Sequence, residues 1–286
     1  MREAVELLGD RWKVDLLETN ARHHATELCR SALAAEPDLI ASFGGDGTMN
    51  EVVNGLIGSS IPLTCIPVGA TNVFCKMVGI PCDPREAMLS LAQGPQRRRR
   101  QRIDVGLLNG RRFVLSAGVG VDAEVVRRVE SRRGLPTRLR SLYYVLSAAQ
   151  AGLGRHGGRS ASLEIAANGR TLRGSSVFLQ NGPHYTFFGR RAIDVADGSR
   201  FDDGGLSGGV LRRAKRRDVP GLLWRAFTRR PTIAEHAQVE SFRAEPRLRI
   251  SSADWQPVAA HVDGEFVGRL ANAAIGIEPR ALVIAT

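Results

Sequence analysis

The sequence is poor in several features, and each shortage excludes a class of protein. The four cysteines among 286 residues form no Cys-x-x-Cys pair, which predicts reduced, mostly buried thiols. No run of about 18 apolar residues is present, so no membrane-spanning helix is expected. Met1–Asp10 lacks the pattern of a signal peptide, which predicts a cytoplasmic protein. With 43% hydrophobic and 24% charged residues, the composition excludes wholesale disorder and predicts a buried core.

Lysine is scarce, whereas arginine is abundant. Lys13, Lys76 and Lys215 are the three lysines, so 37 of the 40 basic residues are arginine, and the formal net charge is +11. A basic surface attracts nucleic acid, anionic lipid headgroups or phosphorylated ligands, and charge alone does not choose among them. Because no basic motif is interleaved with aromatic residues, no specific nucleic-acid partner is expected.

The first hundred residues alternate strand and helix patterns, which predicts a parallel sheet with helices on its faces. This α/β region is followed by a β-rich one. The strands predicted in the α/β region are Trp12–Leu17, Asp38–Phe43 and Ile61–Val68. Helical spacing links Ala25 to Leu33 and Met49 to Ile57, and a short helix is predicted over Phe74–Val78.

From residue 103 onward the pattern is mainly antiparallel β. Asn109-Gly110 and Asn168-Gly169 each separate two strand-like runs and predict hairpins. Helical segments are predicted near Thr137–Gly152 and over Val219–Phe227. We therefore expect an α/β domain over residues 1–102, to which a C-terminal strand near 278–286 returns, and a β-rich domain over 103–277. The further strands expected in it are Val177–Gln180, Leu206–Leu211, Val239–Ala244, Leu248–Ser251, Val258–Val262 and, at the C-terminus, Ala281–Ala285.

Two glycine-containing loops each follow a predicted strand and precede a predicted helix. They are Gly44-Gly45-Asp46-Gly47-Thr48 and Pro67-Val68-Gly69-Ala70-Thr71-Asn72. Glycine lets the backbone approach a polyphosphate, and a helix N-terminus adds free N–H groups and partial positive charge. Loops on neighbouring strands would face one crevice at the carboxyl ends of the sheet, where open α/β sheets bind ligands. A plain turn with a capping side chain is the alternative for each loop.

The ordered set of motifs resembles the diacylglycerol kinase catalytic family, which includes bacterial soluble lipid kinases and the sphingosine and ceramide kinases. The first loop with Asn50–Leu56 is similar to the family signature, and Pro67–Phe74 to its second nucleotide loop. Ser116–Ala123, Val195–Leu206 and His261–Glu265 resemble its later segments. The resemblance runs from about residue 12 to the C-terminus.

The resemblance implies a phosphofructokinase-like or NAD-kinase-like nucleotide domain, a C-terminal β-sandwich-like domain, and a cleft between them for ATP-Mg²⁺ and a lipid hydroxyl. Asp263 would be the general base and Glu265 would support the metal network, with Asp46 a third catalytic carboxylate. Asp203, with Arg200 and Gly205, resembles a structural Mg²⁺ site. The residues implied to hold the nucleotide are Gly44, Gly45, Gly47, Thr48, Gly69, Thr71 and Asn72.

Departures from the family pattern keep alternatives open. The family normally begins with a strand ending in Asn-Pro and a glycine, and this chain is expected to start after it, inside the first helix. Ala70 stands where Thr or Ser is usual, which removes a hydroxyl from the second loop. A catalytically impaired lipid- or nucleotide-binding pseudokinase is therefore one alternative, and a NAD kinase is another.

The ordered motifs, taken together, favour the hypothesis of a soluble lipid kinase that associates peripherally with membranes. It would transfer the γ-phosphate of ATP to a diacylglycerol-like lipid at the membrane surface. Its basic surface, Arg97–Arg102 included, would meet anionic lipid headgroups. The sequence leaves the preferred lipid and the oligomeric state open, a homodimer included.

Overall fold

The computed structural model describes residues 8–9, 11–94, 99–132, 163–212, 216–226, 228 and 232–286. The chain divides into two compact units. The first unit contains Met1–Ile103 and Arg280–Thr286, and the second contains Asp104–Pro279. Each unit is described by itself below.

The first unit is an α/β arrangement of parallel strands and helices. Strands β1 and β2 are parallel neighbours, in register from the pair Ile40–Leu63 to the pair Gly44–Pro67. The second of these strands is buried along its whole length, as expected of a strand covered on both faces. Its elements are α1 (His24–Ala32), β1 (Ile40–Gly44), α2 (Asp46–Leu56), β2 (Leu63–Pro67), α3 (Val73–Val78) and α4 (Pro84–Ala92).

Close contact between α1 and α2 explains part of the Asn50–Leu56 motif. A Cβ on Gly55 would lie 2.7 Å from the Cβ of Cys29, so only glycine lets the two helices approach this closely. Glu51 accepts a hydrogen bond from the N–H of Ala25 at 3.2 Å, at the start of α1. These two motif residues therefore hold a helix pair together.

The predicted strand over Trp12–Leu17 is wrong, because this segment has no regular secondary structure. The indole of Trp12 is instead hydrogen-bonded to helix α4, because Trp12 Nε1 donates to the carbonyl of Leu91 at 3.0 Å. Trp12 and Val14 pack against a small core cluster that contains Ile66 and Leu91. The apolar alternation that predicted a strand thus reflects side chains packed on this cluster.

The second unit is a β-sandwich, and its described residues include two helices in the connections between strands. A six-stranded antiparallel sheet has the order β12-β11-β8-β5-β14-β15, and a second layer contains β3, β4, β6, β7, β13 and the first part of β16. The elements are β3 (Arg100–Leu108), β4 (Arg111–Phe113), β5 (Ser116–Gly120), α5 (Val121–Glu130), β6 (Leu163–Ala167), β7 (Arg170–Gly174), β8 (Ser176–Gln180), β9 (Thr186–Phe188), β10 (Arg191–Ile193), β11 (Leu206–Leu211), α6 (Val219–Ala226), β12 (Val239–Glu245), β13 (Arg247–Ser252), β14 (Val258–Val262), β15 (Glu265–Leu270) and β16 (Asn272–Ala285).

One apolar core fills the space between these two layers. Val177 and Leu179 of β8 and Val262 of β14 meet Leu163 and Ile250 of the other layer in a single buried cluster. Side chains from two inner faces interdigitate in this way in β-sandwiches. The predicted fold class, parallel α/β followed by a β-sandwich, is confirmed.

Both predicted hairpins are present. Asn109-Gly110 joins β3 to β4 with φ of 48° and 82°, and Asn168-Gly169 joins β6 to β7 with φ of 45° and 74°. Positive φ at both central residues is the geometry that favours Asn-Gly in two-residue hairpin turns. The C-terminal strand is longer than predicted, since β16 begins at Asn272, and its last residues return to the first unit, where Ile284 pairs with Leu63.

The helix predictions had mixed outcomes. The helix expected over Val219–Phe227 is present as α6, whereas the segment near Thr137–Gly152 lies outside the described residues. Helices α4 and α5 were not predicted from the sequence. Among the described residues, no helix is both long and apolar enough to cross a membrane.

Candidate active site

The first glycine-containing loop, residues 44–48, connects β1 to α2. Only Gly45 lies between the end of the strand and the start of the helix. Among the described residues, no side chain caps the N-terminus of α2. The first N–H groups of a helix have no partner within the helix, and the helix dipole is positive at this end. Gly47 is exposed, and a Cβ there would meet nothing within 4 Å. This helix end can therefore accept an anion such as a phosphate group.

The second loop, residues 68–72, lies directly against the first. A Cβ on Gly69 would be 2.6 Å from the Cα of Gly45, and a Cβ on Gly45 would be 3.1 Å from the Cα of Gly69. Asn72, at a left-handed φ of 49°, closes the second loop by accepting from the N–H of Gly69 at 3.0 Å and donating to its carbonyl at 2.9 Å. The prediction that two loops follow neighbouring parallel strands is confirmed, and glycine is required where they touch.

Asp46 joins the two loops through its carboxylate. Oδ2 accepts from the N–H of Val73 and Oδ1 from the N–H of Phe74, both at 3.0 Å, at the start of α3. Burial raises the pKa of the Asp46 carboxyl, and the two backbone N–H groups and the Lys76 ammonium oppose that rise. Both oxygens thus act on backbone, which makes Asp46 a positioning residue for the loops.

The remaining residues of the two loops differ in exposure. Thr48 packs over Gly44, since a Cβ there would lie 2.7 Å from Thr48 Oγ1. Thr71 is half-buried and Ala70 is exposed. A hydroxyl at position 70, which the sequence lacks, would thus have stood at an exposed position of the second loop.

In the second unit, Asp263 begins the turn between β14 and β15. Its Oδ1 accepts from the N–H groups of Leu115 at 2.8 Å and Ser116 at 3.0 Å, and its Oδ2 accepts from Val114 at 3.0 Å. Its own N–H donates to the carbonyl of Ser116 at 2.7 Å. The side chain therefore fixes the turn onto the segment before β5.

These hydrogen bonds explain why one predicted strand is broken. The run Arg111–Ser116 was expected to be a single strand, but β4 ends at Phe113 and β5 begins at Ser116. At Val114 and Leu115 the N–H groups go to the Asp263 carboxylate, and the carbonyls accept from the side-chain amide and the N–H of Asn181. The backbone there is satisfied without a strand partner.

Glu265 is the second acidic residue of this turn, and both residues are half-buried. Its carboxylate accepts from Arg111 Nη2 at 2.6 Å, and 27% of its side chain is exposed. Asp263 and Glu265 thus lie in the same turn, with the carboxylate of Asp263 bonded to backbone and that of Glu265 to a guanidinium. A carboxylate at the surface can accept a proton from a bound hydroxyl.

The predicted structural Mg²⁺ site lies at the start of β11. Asp203 Oδ2 accepts from the N–H of Arg200 at 2.9 Å and lies 3.9 Å from Arg243 Nη2. Gly205 contributes close backbone packing, because a Cβ there would overlap the carbonyl group of Ala244. Within the described residues, no three His, Cys, Asp or Glu side chains converge on a point that could hold a metal ion. The partners that the structure gives Asp203 are a backbone N–H and an arginine, and the Mg²⁺ site stays a prediction.

The first unit has two features that suit the phosphates of a nucleotide. The uncapped end of α2 and the glycine contact at residues 45 and 69 suit a polyphosphate. Mg²⁺ carried on phosphates needs only one or two protein carboxylates, so it does not require the cluster that is absent around Asp203.

Sequence reasoning assigned no role to three buried polar residues of the second unit. Asp104 Oδ2 accepts from the N–H of Gly204 at 2.7 Å, beside Asp203. Asn181 donates to the carbonyls of Asp104 and Val114 at 2.8 and 2.9 Å. His261 precedes the acidic turn and is 2% exposed. Asp104 lies inside a strand pattern and Asn181 in a turn pattern, so only their long-range contacts distinguish them.

Comparisons with known proteins agree over both units. Residues 1–107 match the model of the diacylglycerol kinase catalytic domain, and residues 115–286 match the YegS C-terminal NAD kinase beta sandwich-like domain. The chain is 30% identical over 257 residues to a diacylglycerol kinase of Bacillus subtilis, covering 88% of this chain and 79% of that one. It is 34% identical over 128 residues to a Pseudomonas putida protein named "Probable lipid kinase YegS-like", covering 44% of this chain and 42% of that one.

Solved structures show the same fold. A crystal structure of a diacylglycerol kinase from Bacillus anthracis aligns with a TM-score of 0.70 at 17% identity, over 99% of this chain and 90% of that one. A second crystal structure from the same organism aligns with a TM-score of 0.77 at 21% identity, over 99% and 89% of the two chains.

Fold, loops and acidic turn together define a protein of the lipid-kinase class. The chain belongs to the diacylglycerol kinase catalytic-domain family, with a YegS-type C-terminal domain.

Proposed function

We propose that this protein transfers the γ-phosphate of ATP to the hydroxyl of a diacylglycerol-like lipid. The observation that carries the proposal is the pair of glycine loops in contact at Gly45 and Gly69, beside the uncapped N-terminus of α2. Such a cradle suits the phosphates of a nucleotide. The names of its relatives supply the lipid class of the acceptor.

The role of the first unit in this reaction is to hold the triphosphate. The N–H groups at the start of α2 would face the phosphate oxygens, while Asp46 holds α3 and the second loop in place. Phosphoryl transfer demands positioning and charge stabilisation more than covalent chemistry from the protein. Mg²⁺ bound to the nucleotide would neutralise charge that develops on the phosphates.

The role of the second unit is to accept the proton of the lipid hydroxyl. As the hydroxyl oxygen bonds to the γ-phosphorus, the bond to the bridging oxygen of ADP breaks, and the hydroxyl proton must move to a base. The sequence assigned that base to Asp263, whose two oxygens already accept three backbone N–H groups. These contacts favour Glu265 for the proton transfer and Asp263 for holding the turn.

The acceptor is proposed to be a lipid at a membrane surface. A formal net charge of +11 attracts anionic headgroups and raises the local concentration of a lipid substrate. Diacylglycerol, a sphingoid base and a polyprenol each offer a hydroxyl on an apolar tail, so the lipid is to be chosen by assay.

The test is transfer of labelled γ-phosphate from ATP to a panel of lipids in mixed micelles. Glu265→Gln should lower kcat on the order of 10²–10⁴-fold, the contribution of a general base. Glu278→Gln is the matched control, since Glu278 is 29% exposed and also pairs with an arginine, Arg112, at 2.8 Å.

Three outcomes separate the alternatives. Loss of activity in Glu265→Gln alone supports Glu265 as the base, and an equal loss in Asp263→Asn with an unchanged fold returns the base to Asp263. If the wild type binds ATP but phosphorylates no lipid in the panel, the kinase proposal fails and the pseudokinase alternative is favoured.

A further inference from the structure

A buried polar cluster lies in the second unit beside the acidic turn, and the proposed reaction does not use it. It consists of Asp122 on α5, Tyr185 before β9 and His261 on β14, which are 7%, 6% and 2% exposed. The hydroxyl of Tyr185 donates to Asp122 Oδ2. His261 Nε2 lies 2.6 Å from the same oxygen and 3.0 Å from the Tyr185 hydroxyl.

We propose that Asp122, Tyr185 and His261 form a lock that positions the acidic turn, with Nε2 of His261 donating its proton to the Asp122 carboxylate. The functional part of this inference rests on the proposed kinase activity. The lock itself is a statement about hydrogen bonds and can be tested without that activity.

The protonation states follow from the contacts. A carboxylate oxygen 2.6 Å from Nε2 requires a proton on that nitrogen. Nδ1 of His261 is buried and has no hydrogen-bond partner, so a second proton there would be an unpaired buried donor, which is costly. Asp122 accepts two hydrogen bonds and lies in the first turn of α5, where the helix dipole favours negative charge.

The surroundings leave no room for another arrangement. A Cβ on Gly118 of β5 would lie 2.5 Å from both Asp122 Oδ2 and His261 Nε2. Opposite His261, β15 presents Phe266. The charged side chains nearest on α5 and β15 have partners of their own, because Glu124 pairs with Arg269 and Arg127 and Glu130 accepts from the N–H of Phe266.

The lock acts on the turn because His261 is two residues from Asp263. A register shift in the pairing of β14 with β15 falls between Ala260 and His261, and such bulges re-aim a side chain. Helix α5, which carries Asp122, also contacts β15. Glu130 Oε2 on this helix accepts from the N–H of Phe266, the residue after Glu265, at 2.9 Å. Helix α5 thus fixes both strands of the hairpin whose turn carries the proposed base.

The first readout is the imidazole ¹⁵N spectrum of His261, assigned by its absence in His261→Gln. We expect Nε2 to carry a proton that is hydrogen-bonded to the Asp122 carboxylate. A spectrum in which Nε2 is unprotonated would overturn the assignment.

The second readout uses Tyr185→Phe, which removes one donor to Asp122 and keeps the ring. We expect faster hydrogen exchange of the amides of Ser116 and Phe266, and a kcat lower on the order of 10–100-fold with a nearly unchanged KM for ATP, because small displacements of positioned groups have effects of this size. The control is Val177→Ala, a fully buried core residue on β8 that lies outside the cluster.

The changes in hydrogen exchange and in kcat are compared between the two variants relative to the unfolding free energy that each loses. If these changes are equal in both variants, the cluster acts merely as part of the core, and the lock is overturned. A wild type without kinase activity that nevertheless shows a protonated His261 Nε2 and exchange altered only in Tyr185→Phe would support the lock while the proposed function fails.

Discussion

Each unit has an acidic residue whose two carboxylate oxygens both accept backbone N–H groups of a separate segment. In the first unit Asp46 accepts the N–H groups of Val73 and Phe74. In the second unit Asp263 accepts those of Val114, Leu115 and Ser116. Both carboxylates hold a loop in place, although both belong to motifs that the sequence analysis assigned to catalysis.

The difference lies in what each unit leaves open. Around Asp46 the open groups are the N–H donors at the start of α2, which suit an anion. Beside Asp263 the turn carries a further acceptor, the Glu265 carboxylate, which is 27% exposed and accepts from Arg111. The proposed phosphoryl transfer would need donors for the phosphate and an acceptor for the proton, and each unit contains groups of one of these kinds.

The largest expected effect tests whether the loop contact in the first unit serves the nucleotide. In Gly69→Ala the new Cβ would lie 2.6 Å from Gly45 Cα and 2.7 Å from Asn72 Oδ1, so the loops must separate. Because misplaced binding groups cost on the order of 10²-fold, kcat/KM for ATP should fall by about that factor. Steady-state kinetics with varied ATP measures the change.

Gly47→Ala is the matched comparison, since a Cβ there meets nothing within 4 Å. Alanine in a helix is favoured over glycine by about 0.5–1 kcal/mol, so this variant should be at least as stable as the wild type. It should still bind ATP more weakly if phosphate approaches this face. Unchanged ATP affinity in both variants would place the nucleotide elsewhere.

The next largest effect compares the two backbone-binding carboxylates directly. Asp263→Ala removes the acceptor of three N–H groups and places alanine at φ of 48°, whereas Asp46→Ala removes the acceptor of two. Each unpaired buried group costs about 1–3 kcal/mol, and water partly offsets this cost. We therefore expect the unfolding free energy to fall by about 3 kcal/mol in Asp263→Ala and by about 2 kcal/mol in Asp46→Ala. Urea unfolding of both variants measures the difference, and a larger loss in Asp46→Ala would contradict the ranking.

The architecture could be predicted from the sequence where its signal is local. The Asn-Gly hairpins at residues 109–110 and 168–169, and the two glycine loops after parallel strands, follow from turn chemistry and periodicity. Helix α4 could also have been found, because Asp83 caps it and Pro84 occupies its first position. Helix α5 was missed since its residues were interpreted only as a family motif.

The rest depends on contacts between residues far apart in the chain. The break between β4 and β5 comes from a carboxylate about 150 positions away, at Asp263, and periodicity over Arg111–Ser116 does not show it. Trp12–Leu17 has strand-like alternation but finds Leu91 rather than a strand partner. The buried partners of His261 are equally remote, so its sequence neighbours give no sign of them.

A smaller effect is the pH dependence of stability that the Asp46 carboxylate contributes. Burial raises the folded-state pKa of Asp46 above its ordinary value of 3.8. The folded state therefore binds this proton more tightly than the unfolded state does, and the resulting stability is lost as pH rises from the unfolded pKa through the folded one. The unfolding free energy of the wild type should fall relative to Asp46→Asn as pH rises above about 4. Denaturant unfolding at a series of pH values checks this, and a constant difference would contradict it.

The smallest effect separates two similar ion pairs in the second unit. Arg111 holds Glu265 at 2.6 Å and Arg112 holds Glu278 at 2.8 Å, with the arginine side chains 36% and 28% exposed. Pairs this exposed contribute about 0–1 kcal/mol, so Arg111→Ala and Arg112→Ala should both remain folded with nearly the wild-type stability. Only Arg111→Ala should alter kcat, because its partner is the proposed base and a freed carboxylate is less well positioned. Equal kcat values in the two variants would show that Arg111 does not position Glu265 for the reaction, and would leave the lock at His261 and the Asp263 hydrogen bonds as the groups that orient the turn.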